Sequence, residues 1–329
     1  MGAPETRRSF VLAAGALAAC APSPKTARST VRIGYQKNGV LLLAKARGRL
    51  PGLLATAGVT SVEWAQFGAG PPLLEAMRAG AIDVGAVGDT PPIFAQAAGA
   101  PIVYAAVQPL TGVGQALVVP PASSIHAVAD LKGKRVAFTK GSSAHLFIVL
   151  ALAGAGLGLA DITPVYLSPA DAAGAFASGA LDAWTIWDPF LAIAEKTQGA
   201  RRILDGRGVA PTNAFYIAAR RFAKGAPNVL SALLDALAGE AAWANAHQHE
   251  AGAIVQEATG LPADIVATSL RRGPLAVVPL TDTAVKTQQA SADTFHRLGV
   301  IPSAVDVRAA VWTGWTPARP LREQIGVRS

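Results

Sequence analysis

Residues Thr139-Lys140-Gly141-Ser142-Ser143-Ala144-His145 lie between an apolar strand-like run and an apolar helical pattern that extends from about Ser143 to Ala155. The start of a helix leaves backbone N–H groups without partners and carries partial positive charge, which suits a tetrahedral or planar anion. Gly141 lets the backbone come close to a ligand, and the Ser142 and Ser143 hydroxyls, Lys140 and His145 add donors. The same residues equally fit an ordinary serine N-cap beside an exposed histidine. Catalysis by Ser143 with His145 is the weaker reading, because there is no GxSxG elbow and the sequence identifies no orienting carboxylate.

A second group is Trp187-Asp188-Pro189, with Trp184 three residues earlier. Indole faces offer flat apolar area to an organic chain, and Asp188 suits a helix cap or a polar ligand end. Strand alternation sends Trp184 and Trp187 to opposite faces, so one is core; Trp187, nearer the strand end, is the candidate for the ligand. Metal and cofactor signals are poor, and none of either is expected. His247 and His249 lack the i, i+4 spacing of a zinc helix. Gly154, Gly156 and Gly158 follow a helix rather than a strand, without dinucleotide-fingerprint spacing.

The elements that must position these groups are apolar runs of five or six residues: VRIGY at 31, VEWAQF at 62, DVGAVG at 83, IVYAAV at 102, ALVVP at 116, RVAFTK at 135, PVYLS at 164, DAWTIW at 182 and AFYIAA at 214. They alternate with helical patterns, which predicts α/β layers with mainly parallel sheets. Beyond 220 the pattern is helical, with a long segment from Pro227 to about His247.

The chain also echoes itself. Gly80-Ala81-Ile82-Asp83, then four residues, then Gly88-Asp89-Thr90-Pro91, returns as Gly179-Ala180-Leu181-Asp182, four residues, then Trp187-Asp188-Pro189. In each copy a helix stops at Gly, a strand follows, and Asp before Pro suits the start of the next helix. A weaker echo pairs Gly34-Tyr35-Gln36-Lys37 with Lys140-Gly141-Ser142-Ser143. Two such sheets facing each other predict two lobes, with a ligand cleft at the carboxyl ends of the strands.

Composition bounds the rest. The chain has 329 residues, 51% hydrophobic and 15% charged, which supports a large buried core. The formal charge is +8, or +7 once the first 19 residues, with Glu5, Arg7 and Arg8, are removed, and such a field favours encounter with anions. The pairs Arg201-Arg202, Arg220-Arg221 and Arg271-Arg272 read as solvated surface, far apart and without interleaved aromatics, so no nucleic-acid partner is expected. A lone cysteine excludes a disulfide framework.

That cysteine lies in an N-terminal pattern: Arg7-Arg8-Ser9-Phe10-Val11, a short apolar stretch, then Leu17-Ala18-Ala19-Cys20. It resembles a twin-arginine export signal joined to a bacterial lipobox, residues 1–19, with Cys20 as the lipid-attachment site and residues 20–30 as a tether poor in apolar residues. The apolar run is too short to span a bilayer. An exported protein held at the membrane by its lipid, periplasmic or on the cell surface, is the expectation.

Six stretches together resemble the periplasmic aliphatic-sulfonate-binding proteins of ABC importers, near their taurine- and nitrate-binding relatives. They are VRIGYQKNG with LLLAKARG, VEWAQFGAGPPLLEAM, AGAIDVGAVGDTPPIFAQAAGAPIVY, ADLKGKRVAFTKGSSAH, SPADAAGAFASGALDAWTIWDPFLAIAE, and QQASADTFHRLGVIP with AAVW, spanning about 31 to 312. The resemblance implies a type II periplasmic binding fold: lobe one from 31–115 plus 215–329, lobe two from 116–214, and closure by hinge motion. It places the sulfonate head at Gln36, Ser142, Ser143 and His145 with backbone of Gly88, Asp89 and Thr90, with Trp187 and Asp188 opposite and Phe215 as added apolar wall. A sulfonate has three acceptor oxygens and no proton to give, so a site of donors suits it.

The implied partners are a permease and its ATPase, the implied role is sulfur acquisition, and a monomer is expected. Taurine, then nitrate or another small oxyanion, are the alternative ligands, and a solute sensor is an alternative role. Two departures leave tail preference open: Gly88-Asp89-Thr90-Pro91-Pro92 stands where the family often has Gly-Glu-Ala-Pro-Pro, and Ser143-Ala144 replaces Asn-Val. Enzymes of the same fold, the sulfinate desulfinases and the pyrimidine-precursor synthases, are the weaker alternative: the only cysteine here belongs to the lipid signal, which removes a cysteine nucleophile and with it the desulfinase reading, and no enzymatic activity is expected.

Overall fold

The computed structural model describes residues 1–2, 30–209 and 212–318; the signal, Cys20 and the tether up to residue 29 lie outside them. The first lobe begins with β1 (Thr30–Tyr35), α1 (Gly39–Arg47), α2 (Leu50–Leu54), β2 (Ser61–Gln66), α3 (Gly70–Arg78), β3 (Val84–Gly88), α4 (Thr90–Ala97) and β4 (Ile102–Pro109). The second holds β5 (Gln115–Val119), β6 (Arg135–Phe138), α5 (Ser143–Gly154), β7 (Thr163–Tyr166), α6 (Pro169–Ala177), β8 (Ala183–Trp187), α7 (Phe190–Thr197) and β9 (Arg201–Asp205). The chain then returns through β10 (Asn213–Ala219), α8 (Arg220–Gly225), α9 (Pro227–Ala246), α10 (Gln248–Thr259), α11 (Ala263–Arg271) and α12 (Asp282–Arg297).

All nine apolar runs are strands. Among the described residues one strand escaped the pattern: β9, whose Arg-Arg-Ile-Leu-Asp sequence hides its pairing with β5 behind two leading arginines. The sheets are ordered β2-β1-β3-β10-β4 and β7-β6-β8-β5-β9, the same topology twice. Each is mixed rather than simply parallel, because β10 runs antiparallel to β3 and β4, and β5 antiparallel to β8 and β9. The reason is topological. Each antiparallel strand is the one by which the chain enters from the other lobe, so it lacks the βαβ crossover that would make it parallel.

The sequence echo has a structural cause. Asp83 receives the backbone N–H, Nε and Nη2 of Arg32 at 2.9–3.1 Å, tying the loop before β3 to β1. Asp182 receives the same three groups of Arg135 at 2.7–3.1 Å, tying the loop before β8 to β6. Gly80 (φ 86°) and Gly179 (φ 76°) end the preceding helices in the left-handed region, which a side chain would strain.

The two crossings between lobes run side by side: Leu110 N–H donates to Thr212 O at 3.1 Å and Gly206 N–H to Gly112 O at 3.0 Å. Glycine is needed at both contact points. A Cβ on Gly206 would lie 2.7 Å from Gly112 O, and one on Gly112 2.8 Å from Arg207 N. The exposed side of β4 is covered by the returning chain through bridges Tyr104–Val311 and Val107–Val278, which removes an open sheet edge.

Candidate functional site

The carboxyl ends of β1, β3, β6 and β8 converge where the lobes face each other, together with the N-terminus of α5, and leave a cavity of about 250 Å³. Its polar end is formed by Gln36 and Asn38 after β1, Gly88, Ser142 and Ser143 at the start of α5, and Gln115. Gln36 Nε2 donates to Ala86 O at 3.1 Å, Ser142 Oγ to Thr139 O at 2.7 Å and Gln115 Nε2 to Ser143 O at 2.9 Å, so the turns are held in place by their own donors. Trp187 and Asp188 border the cavity from β8, and the apolar side is supplied by α1, α10 and α11 through Leu41, Val255, Val266 and Leu270.

Of the residues expected at the ligand, Gln36, Gly88, Ser142, Ser143, Trp187 and Asp188 lie on this cavity, whereas Asp89, Thr90, His145 and Phe215 do not line it. Alternation explains Phe215: its neighbours Ala214 and Tyr216 face the cavity, so its own ring points the other way, fully buried and edge-on to Tyr104 at 5.1 Å. Trp184 is likewise core. Thr90 is fully buried and donates to Asp89 Oδ1 at 2.9 Å. The buried Asp89 carboxyl sits behind the cavity wall; burial pushes its pKa up, against the hydrogen bonds from Ser143 and Thr90. Gln288 of α12 donates to Asp89 O at 2.6 Å.

His145 is neither an exposed histidine nor a donor to the cleft. It is 2% exposed and stacks on Phe138 (5.0 Å) of its own lobe while packing against Phe94 (5.9 Å) and Phe295 (5.5 Å) of the other. Its Nδ1 accepts the Gly141 N–H at 3.2 Å, so the ring carries its hydrogen on Nε2. Burial, with Lys140 nearby, lowers its pKa to about 4, which keeps it neutral at physiological pH. His145 is therefore packing between the lobes that also fixes the Gly141 turn.

Contacts between lobes cluster around the cavity. Ser143 of the second lobe hydrogen-bonds Asp89 of the first, and Asn38 of the first donates to Asp188 O of the second at 3.1 Å. Gly88 faces Ser143 so closely that a Cβ there would lie 1.9 Å from its Oγ. Asp188 Oδ1 accepts from Arg272 at 2.7 Å and from the Ala192 N–H at 3.2 Å. Burial raises the Asp188 pKa to about 6, with Arg272 opposing the shift and Glu195 adding to it.

Sequence reasoning missed Asn38, Gln115 and above all Arg272, which is only 11% exposed rather than solvated surface. A glutamine opening the wholly buried strand β5 is a legible signal of a polar site. Nothing in the sequence separates Arg272 from its exposed neighbour Arg271.

A family model described as the NMT1-like family matches residues 26–258. An Escherichia coli (strain K12) relative named as an aliphatic sulfonates-binding protein is 39% identical over 294 residues, 89% of this chain and 91% of that protein. Among solved structures, the alkanesulfonate-binding protein SsuA from Xanthomonas axonopodis pv. citri bound to MOPS is 39% identical with a TM-score of 0.82, covering 88% of this chain and 99% of that one. The periplasmic aliphatic sulphonate binding protein SsuA from Escherichia coli aligns with a TM-score of 0.79 at 39% identity, over 89% of this chain and 94% of its own. With the duplicated sheet, the paired crossings and the cleft between them, these similarities mean that the chain belongs to the NMT1-like family, in the branch of the periplasmic aliphatic sulfonate-binding proteins.

Proposed function

We propose that this protein captures aliphatic sulfonates between its lobes and delivers them, as the substrate-binding component of an ABC importer, to a membrane permease for sulfur acquisition. The observation that carries the reading is the two-ended cavity: turns rich in hydroxyl and amide groups and a helix N-terminus at one end, an apolar wall at the other. It matches the chemistry of a permanent monoanion joined to a hydrocarbon. The relatives named for aliphatic sulfonates, one solved with MOPS bound, support the same ligand class, and they are binding proteins rather than enzymes. Gln36, Ser142, Ser143 and Gly88 are proposed to meet the head, and Trp187 the tail.

Thermal unfolding against alkanesulfonates of increasing length, taurine, sulfate, nitrate and matching carboxylates tests this. A ligand present at 100 times its Kd adds about 2.7 kcal/mol, a readily measured shift. Stabilisation by alkanesulfonates but by neither nitrate nor carboxylates is expected; a shift confined to nitrate or taurine would replace the ligand assignment. Export through the twin-arginine signal and attachment by lipid at Cys20 are part of the proposal. In its native host, the Cys20→Ala variant is expected to leave the membrane fraction, and its retention there would remove the anchor.

A further inference from the structure

We propose that Arg272 is a latch between the lobes, formed only on closure, and that α11, which carries it, makes the latch sensitive to the ligand's tail. The segment after α11 is stapled to the first lobe. Gln108 Nε2 donates to Pro274 O at 3.3 Å, Asn245 exchanges two hydrogen bonds with Leu275 at 2.7 and 3.1 Å, and Val278 bridges to Val107 of β4. From this base the Arg272 guanidinium crosses to the second lobe, where Nη1 meets Asp188 Oδ1 at 2.7 Å and Nη2 meets Glu195 of α7.

Both carboxylates are positioned without Arg272. Asp188 receives the Ala192 N–H of α7, and Glu195 is held by the Nε and Nη2 of Arg202 at 3.1 and 2.7 Å. Arg202 itself reaches Val113 O on the first crossing and Asp205 beside the second. The receptor half of the latch is thus preformed in the second lobe and braced on the crossings. Opening must pull the guanidinium away from both carboxylates and return all three groups to water, so the cluster favours the closed arrangement alone.

The same helix forms a wall of the cavity through Val266, Ser269 and Leu270, while Glu195 is not among the lining residues. A tail that fits against α11 leaves Arg272 in reach of its partners. A tail too wide for the cavity displaces α11 outward and breaks the cluster. Tail selectivity then comes from closure as well as from contact.

The ligand arm of the test rests on the sulfonate reading above, and a scattering arm does not. The cluster favours closure with or without ligand, so small-angle scattering of the ligand-free protein is expected to give a larger radius of gyration for Glu195→Gln and Arg272→Gln than for the parent; equal radii show that the cluster does not hold the lobes together and overturn the latch whatever the ligand is. In stopped-flow experiments Glu195→Gln is expected to raise the hexanesulfonate dissociation rate about tenfold, the ordinary effect of losing a partly buried charge-assisted hydrogen bond. The rate for a bulky naphthalenesulfonate should change less than twofold, and Arg272→Lys should fall between parent and Arg272→Gln. If Arg272→Gln weakens both sulfonates equally while Glu195→Gln changes neither, Arg272 holds the anion directly and the latch is wrong. If the parent binds no sulfonate, the function proposed above fails and scattering alone decides this one. Two independent variants guard against either one failing to fold.

Discussion

Replacing Gly88 by alanine isolates closure from folding. Gly88 ends β3 without a positive φ, so alanine is compatible with its backbone. The added Cβ would lie 1.9 Å from Ser143 Oγ and 3.2 Å from Ser143 Cβ, the former far inside the ~3.5 Å of ordinary contact. Two responses are available. Ser143 rotates its hydroxyl away and leaves the buried Asp89 carboxyl one donor short, or the lobes part by about 1.5 Å and disturb the packing around His145. Losing a hydrogen bond to a buried polar group costs about 1–3 kcal/mol. Because the clash exists only when the lobes are closed, that cost falls on binding, as a Kd weakened roughly 5- to 150-fold. Titration calorimetry with hexanesulfonate measures it. Ser143→Ala removes the same hydroxyl, so the double variant should cost clearly less than the sum of the two singles. An unchanged Kd for Gly88→Ala, or fully additive costs, would refute the reasoning.

Other consequences follow from the same geometry. Gly206→Ala places a Cβ 2.7 Å from the backbone oxygen of Gly112, which has no rotamer to escape into, so unfolding in urea should show a loss of about 1–3 kcal/mol. His145, with its folded pKa lowered to about 4 from an ordinary 6.5, leaves the unfolded chain binding the proton first; stability is lost as pH falls from about 7 to 4, on the order of 3 kcal/mol in all. His145→Phe should flatten that limb of the urea-unfolding profile against pH, and a profile identical to the parent's would contradict the assignment. Asp188 acts in the opposite sense: its folded pKa is raised to about 6, so its contribution is present below its ordinary pKa of 3.8 and lost as pH rises through 6, and Asp188→Asn should remove that slope. Trp187→Ala should weaken long-chain sulfonates by about tenfold relative to methanesulfonate in calorimetry, and equal losses for both would remove Trp187 from the tail.

The sequence by itself determined the parts that repeat locally. Apolar runs of strand length located nine strands, because burying a sheet face demands that pattern whatever surrounds it. The Gly-Asp echo announced two equivalent lobes, because Asp83 and Asp182 each reach an arginine on a parallel strand of their own lobe, Arg32 of β1 or Arg135 of β6. The turns at Gln36 and at Ser142-Ser143 were visible as polar chemistry at strand ends.

What only the tertiary structure decided was which side of each turn faces the cleft. Asp89 and Asp188 are equivalent in sequence, yet one is sealed behind the wall by Ser143 and Thr90 and the other borders the cavity with Arg272. His145 carries the right chemistry for an anion, but the closed lobes bury it among rings from both sides. Arg272 comes within reach of Asp188 only because the chain leaves the second lobe, returns through β10 and lays α11 across the gap. Contacts 77 to 84 residues apart in sequence depend on how two lobes meet, and no local pattern encodes that.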